Sequence, residues 1–259
     1  MNVGFIGFGN MAQAMADGWL RCEALRAEEI GACARDPQKL ERNARVRGIR
    51  PLTDAEAVVR FADVVVVAVK PRQVEEVVGP VAELLRDKIV VSVAAGVLFD
   101  DYERMLPSGV RHLSTVPNTP VAVGEGIVVC ERRHSLGEEG WRTVETLFSH
   151  LGLVIAVDTP LLGIAGTVCG CGPAFVALFI EALADAAVKH GLPRADAYRM
   201  CSQMVVGTGK LQLHTGQHPG AMKDAVSSPG GTTVRGVAEL ERKRFRGAVI
   251  DAVDAIENK

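Results

Sequence analysis

The stretch GFIGFGNMAQAM, Gly4 to Met15, decides how the rest of the chain is read. It joins an apolar run at residues 2–6, which reads as a short buried strand, to a helical run over about residues 11–22. Between them stands Gly7-Phe8-Gly9-Asn10-Met11-Ala12, a GxGxxA turn. The first glycine of such a turn makes the tight bend. The second lets the backbone approach a pyrophosphate, and the small third residue packs the helix on the sheet. The N-terminal N–H groups of the helix then face the phosphates. Gly7, Gly9, Asn10 and Met11 are therefore candidate cofactor-binding residues. A glycine-rich turn also serves plain strand–helix packing; the place of this one, opening a strand–helix succession at the N-terminus, favours the dinucleotide.

Working outward, residues 29–34 read as a second strand, and Asp36-Pro37 opens a second helix with an acidic cap and a proline at its first position. Residues 63–69 (DVVVVAV) and 88–94 (KIVVSVA) are runs typical of strands covered on both faces. Weaker strands are expected at residues 111–116, 126–130 and 153–157. Strands alternating with helices imply βαβ units. The expected fold is an α/β N-terminal Rossmann domain, doubly wound on a mostly parallel sheet, over residues 1–158. An all-α C-terminal dimerisation domain is expected over residues 159–259.

The end of the second strand reads the cofactor's ribose. NAD sites usually present an acidic residue there. Here Cys33-Ala34-Arg35-Asp36 brings a cation first, and a guanidinium suits the 2′-phosphate of NADPH. NADPH is the expected cofactor, with NADH as the second option; Asp36 fits the helix cap.

Residues 159–180 carry no charge, a length that would span a bilayer. Pro160, Pro173 and four glycines are expected to break the stretch into a buried loop and a helix over residues 174–190. That helix is apolar all round except for Glu181, Asp185 and Lys189, the last two spaced to pair. So narrow a polar stripe calls for burial on most sides, and few residues remain to supply it, so a second subunit is expected to do so. Further helices are expected at residues 194–214 and 245–256.

Composition is that of an ordinary globular protein, with 48% hydrophobic and 23% charged residues. A net charge of −2 offers no basic field for nucleic acid or a membrane surface. The six cysteines form no dense framework and no secretory signal is visible, so a cytoplasmic setting is expected. Cys169-Gly170-Cys171 lacks a second ligand pair at finger spacing, and no metal site is expected. Gly207-Thr208-Gly209-Lys210 lacks the earlier glycine and the following hydroxyl of a P-loop.

A second anion site is written in Ser227-Ser228-Pro229-Gly230-Gly231-Thr232-Thr233, before a short helical run over residues 234–240. Proline and glycines at a helix start expose unpaired N–H groups at its positive end, which suits a carboxylate or phosphate. A well-capped interhelical turn is the plainer alternative.

With VVVVAVKP at 64–71, VPNTPVAVGEG at 116–126, GPAF at 172–175 and HPGAMKDAVSSPGGTTVRG at 218–236, the chain resembles the pyrroline-5-carboxylate reductase family along nearly its whole length. The resemblance implies reduction of the ring C=N bond of Δ1-pyrroline-5-carboxylate to proline by NADPH or NADH. It further implies a homodimer through the C-terminal helices, with dimers assembling into a higher oligomer. By matching position, Ser228, Gly230, Gly231 and Thr232 hold the substrate carboxylate, and Thr233 acts beside the ring nitrogen as the catalytic hydroxyl. Ala68, the Lys70-Pro71 turn, Ala95 and Asn118 flank the nicotinamide end of the cofactor. Asp54 stands where some relatives contact the adenosine ribose with Asn.

The chain departs from the family at Cys169 and Cys171, where many members carry serines, and at Thr215-Gly216-Gln217-His218, which lacks a frequent Glu. Two other readings stay open at this point. One is a reductase of a related imino acid, pyrroline-2-carboxylate or a piperideine carboxylate. The other is an NADPH sensor without turnover, against which the second anion site argues.

Overall fold

The structure is a computed structural model and describes residues 1–258. Among these, one sheet contains β1 (Val3–Ile6), β2 (Ile30–Cys33), β3 (Arg50–Pro51), β4 (Val64–Val67), β5 (Ile89–Ser92), β6 (Arg111–Pro117), β7 (Gly126–Glu131) and β8 (Gly152–Val157). Their order across the sheet is β3-β2-β1-β4-β5-β6-β7-β8. All neighbours run parallel except β6 and β7. The short, wholly buried β4 and β5 are β-branched because both sheet faces are covered. Val64 and Val66 join a core with Phe5, Trp19 and Phe148, whereas Val65 and Val67 join one with Val58, Leu85 and Tyr102.

The helices of the first part are α1 (Asn10–Arg21), α2 (Pro37–Arg47), α3 (Ala55–Phe61), α4 (Val74–Val78), α5 (Phe99–Met105) and α6 (Gly137–Ser149). Trp19 of α1 is fully buried and donates its indole N–H to the Leu147 carbonyl at 2.9 Å, so one side chain ties α1 to α6. Then come α7 (Leu162–Lys189), α8 (Arg194–Thr215), α9 (Pro219–Ala225), α10 (Thr232–Arg242) and α11 (Phe245–Glu257). The chain divides into two compact units, Met1–Pro173 and Ala174–Lys259. The division falls inside α7, at its proline.

Three expectations change. The uncharged stretch is not a loop followed by a helix: α7 runs unbroken from Leu162 through Pro173. Its glycines lower helix propensity without supplying a turn, and the carbonyl that the proline leaves free finds another donor. Within its own chain this helix is left uncovered, with Leu178 66% exposed and Val176 and Leu183 exposed too. Asp185 pairs with Arg194 of α8 and not with Lys189, because the guanidinium arrives from the next helix across a short turn. The helix after the second anion site begins at Thr232, not Val234, and reaches Arg242.

Candidate functional site

The β1–α1 turn has the geometry that its glycines imply. Gly7 sits at φ +94, and a side chain there would strike the Ala68 carbonyl oxygen at 2.7 Å. Its N–H donates to the Cys33 carbonyl at 2.9 Å, locking the turn to the end of β2. Gly9, the N-cap of α1, has an ordinary φ of −80, and a Cβ there would meet no protein atom within 4 Å. Protein packing therefore explains Gly7 but not Gly9, whose missing side chain keeps the front of the α1 N-terminus open. Asn10 is exposed and Met11 half-buried at that terminus, while Ala12 is buried against the sheet. The fit to a dinucleotide pyrophosphate rests on this open cradle with unpaired helix N–H groups.

Sequence reasoning missed Gln13, whose Nε2 donates to the Phe8 carbonyl at 3.2 Å. This bond holds the carbonyl between the two glycines in place; a polar residue one turn into α1 was its only signal in the sequence. Arg47 adds support. It grips Asp17 through two nitrogens at 2.6 and 2.8 Å and lies over the Phe8 ring.

The remaining cofactor candidates lie beyond the carboxyl ends of the strands, as binding at a switch of strand order requires. That switch is at β1, which pairs with both β2 and β4. Arg35 follows β2, is exposed, and has no ion-pair partner among the described residues. Asp36 caps α2, accepting from the Lys39 N–H at 2.9 Å. Ala68 follows β4 and donates its N–H to the Ile6 carbonyl at 2.8 Å. Lys70 and Pro71 open a short 3-10 turn with the lysine exposed, and Ala95 lies exposed beyond β5.

Asp54 has a different occupation. It caps α3, accepting from the Ala57 N–H at 2.8 Å and from the Thr53 hydroxyl at 3.0 Å. The Ala57 N–H first, then the Thr53 hydroxyl, hold its carboxyl below the usual aspartate range. The same charge, after burial, helps to push the Cys33 thiol up. Asn118 is 5% exposed and its amide is bonded at both ends. Oδ1 accepts from the Ile127 N–H at 2.9 Å, and Nδ2 donates to the Cys169 carbonyl at 3.1 Å.

The second anion site lies in the second unit. Gly231 caps α10 and donates its N–H to the Ser228 carbonyl at 3.0 Å. A side chain on Gly231 would meet the Ser228 hydroxyl oxygen at 2.4 Å, and Gly230 bends at φ +69. The turn thus brings Ser228 to the start of α10, where Thr232 and Thr233 are exposed. No side chain caps this end and no acidic residue lies in its first turn, so its N–H groups stay free for an anion. Cys169 lies partly exposed on α7, its thiol raised by burial. Among the described residues no His, Cys, Asp and Glu cluster of metal-binding size occurs.

Residues 160–259 match the profile described as pyrroline-5-carboxylate reductase dimerisation, and residues 2–96 match NADP oxidoreductase coenzyme F420-dependent. The pyrroline-5-carboxylate reductase of Treponema pallidum is 40% identical, over 98% of this chain and 98% of that protein. The Escherichia coli enzyme is 38% identical, over 97% and 94%. Among solved structures, the Plasmodium falciparum pyrroline carboxylate reductase with NADP bound has a TM-score of 0.87 at 29% identity, covering 99% of this chain and 95% of that one. The Coxiella burnetii pyrroline-5-carboxylate reductase has 0.86 at 31%, over 99% and 96%.

Proposed function

The chain belongs to the pyrroline-5-carboxylate reductase family, and from that premise we propose that it reduces Δ1-pyrroline-5-carboxylate to L-proline, the last step of proline biosynthesis. The single observation that carries this reading is the second anion site, the uncapped start of α10 held beside Ser228. A protein that only sensed a dinucleotide needs no such site.

In this reading residues 1–158 bind the dinucleotide, and residues 159–259 bind substrate and form the dimer. The open turn at Gly7, Gly9, Asn10 and Met11 receives the pyrophosphate, and unpaired Arg35 favours the 2′-phosphate of NADPH over NADH. Ala68, Lys70, Pro71 and Ala95 border the reactive end. Asp54 borders the ribose while capping α3. When bound there, the reduced nicotinamide supplies the hydride that the imine carbon accepts.

The chain's own residues position the acceptor. Ser228 and the backbone around Gly230, Gly231 and Thr232 hold the carboxylate, which fixes the face of the ring. The Thr233 hydroxyl orients the N–H of the protonated imine. Positioning supplies most of the rate, as it does where a cofactor carries the chemistry. The homodimer works in the cytoplasm, where the six free cysteines stay reduced, and dimers associate further.

The test is oxidation of NADPH and of NADH by purified protein with pyrroline-5-carboxylate, pyrroline-2-carboxylate and piperideine-6-carboxylate. Turnover of the first in clear preference, with NADPH the better donor, is the expected result. NADPH binding without turnover of any substrate would overturn the reading.

A further inference from the structure

Proline inside a helix lacks the N–H that would bond the carbonyl four residues earlier. In α7 the proline is residue 173, so the unpaired carbonyl is that of Cys169. This is the carbonyl to which Asn118 Nδ2 donates, at 3.1 Å. The other end of the amide is fixed too, since Ile127 donates its N–H to Oδ1 at 2.9 Å and accepts the Asn118 N–H at 3.1 Å. Asn118 is 5% exposed, and each end of its amide makes a bond to protein. Pro173 is also the last residue of the first compact unit.

We propose that Asn118 is a positioning residue that returns to α7 the hydrogen bond removed by Pro173, and so fixes the helix at the loop following β6. The nicotinamide contact expected from sequence would have to be made by the second Nδ2 hydrogen, with the first already bonded to Cys169. A part-buried carbonyl left without a donor loses a hydrogen bond, so Asn118 and Pro173 form one unit: the proline creates the acceptor and the asparagine satisfies it. Adjacent glycines at 170 and 172 would otherwise leave this part of α7 easy to bend. The consequence for catalysis rests on the reductase reading, in which the chain beyond α7 carries the substrate residues.

A double-mutant cycle tests the pairing. Asn118→Ala is made alone and in a Pro173→Ala background, where the backbone N–H is restored. The lost bond to Ile127 is common to both backgrounds and drops out of the comparison. With Pro173 present, Asn118→Ala is expected to lower the melting midpoint and to cut kcat about tenfold, with KM for NADPH within about twofold. In the Pro173→Ala background the fall in kcat shrinks to under about threefold and the melting loss shrinks with it. Equal losses in both backgrounds would overturn the proposal, since a direct cofactor contact is indifferent to residue 173.

If Asn118→Ala does not fold, hydrogen exchange of the Asn118 side-chain amide in the unsubstituted protein decides. Protection that weakens in Pro173→Ala is expected, and an unprotected amide overturns the clamp. Melting and exchange need no substrate, so failure of the clamp and failure of the reductase reading are told apart.

Discussion

At the scale of single residues, the two glycines of the first turn make opposite demands and so separate folding from binding. Gly7 needs both its positive φ and the absence of a Cβ, which would press on the Ala68 carbonyl. Gly7→Ala is expected to cost at least about 1–2 kcal/mol of stability from backbone strain alone. Gly9 has neither constraint, so Gly9→Ala is expected to melt like the parent while weakening NADPH binding about tenfold or more. Thermal melts beside fluorescence titration of NADPH check the pair; equal melting losses would refute the division. Arg35→Ser is expected to raise KM for NADPH about tenfold, the worth of one exposed charge-assisted contact, and to leave NADH nearly unchanged. Glu29 gives the acid limb of stability a definite sign. The Arg26 N–H first, then its side chain, hold the Glu29 carboxyl down to about 2 from its ordinary 4.5. The unfolded chain protonates first, so this contribution is complete above about pH 4.5 and is lost as pH falls towards about 2. Glu29→Gln is expected to flatten the fall in melting midpoint across that window, by a small amount because its partner Arg26 is exposed and the pair is screened by solvent.

At the scale of elements, what the sequence states locally is what could be read from it. The β-branched runs at β4 and β5 name strands because sheet burial selects those side chains, and Asp36 with Pro37 names a helix start because the cap is built from adjacent residues. The part that escaped depends on distant partners. Nothing near Pro173 announces that Asn118 will take the freed carbonyl, so α7 reads as interrupted when it is continuous. The cap role of Asp54 was hidden because the family match directs attention to ribose. The candidate site divides in the same way: the two glycine turns are legible, whereas the bonds of Gln13 to Phe8 and of Asn118 to Cys169 join residues whose meeting only the fold decides. The element most exposed to a single change is α1. Trp19 is fully buried against Phe5 and Phe148 and bonded to Leu147. Trp19→Ala is expected to cost about 3–5 kcal/mol by leaving a cavity, and to lower NADPH affinity because α1 carries the phosphate-facing N–H groups. Denaturant unfolding measures the first effect. Unchanged stability would mean that α1 is not held by this anchor.

At the scale of the whole molecule, the second unit does not contain enough core to stand alone. Its buried hydrophobic cluster comprises Ala184, Ala197 and Cys201, with Ile180, Ala187, Val188 and Leu192 partly buried around it. Leu178 at 66%, Met200 at 59%, Leu213 at 75% and Ile250 at 60% remain exposed along α7, α8 and α11. So much apolar surface on long helices asks for a covering partner. Two coverings meet the length and composition of α7, a bilayer and a second copy. The match of residues 160–259 to a dimerisation domain favours the second copy. In a twofold interface each substitution acts twice. Leu178→Glu removes a buried leucine and places a charge in each half, a loss of about 3–6 kcal/mol from apolar burial alone. The dissociation constant is then expected to rise by about two to four orders of magnitude. Sedimentation velocity should show the parent as a dimer or larger and the variant shifted to monomer at micromolar concentration, with NADPH oxidation falling alongside. Flotation with lipid vesicles separates the alternatives. A parent that stays in solution with its dimer intact supports pairing, whereas a monomeric parent that floats with the vesicles would assign the apolar face of α7 to a membrane.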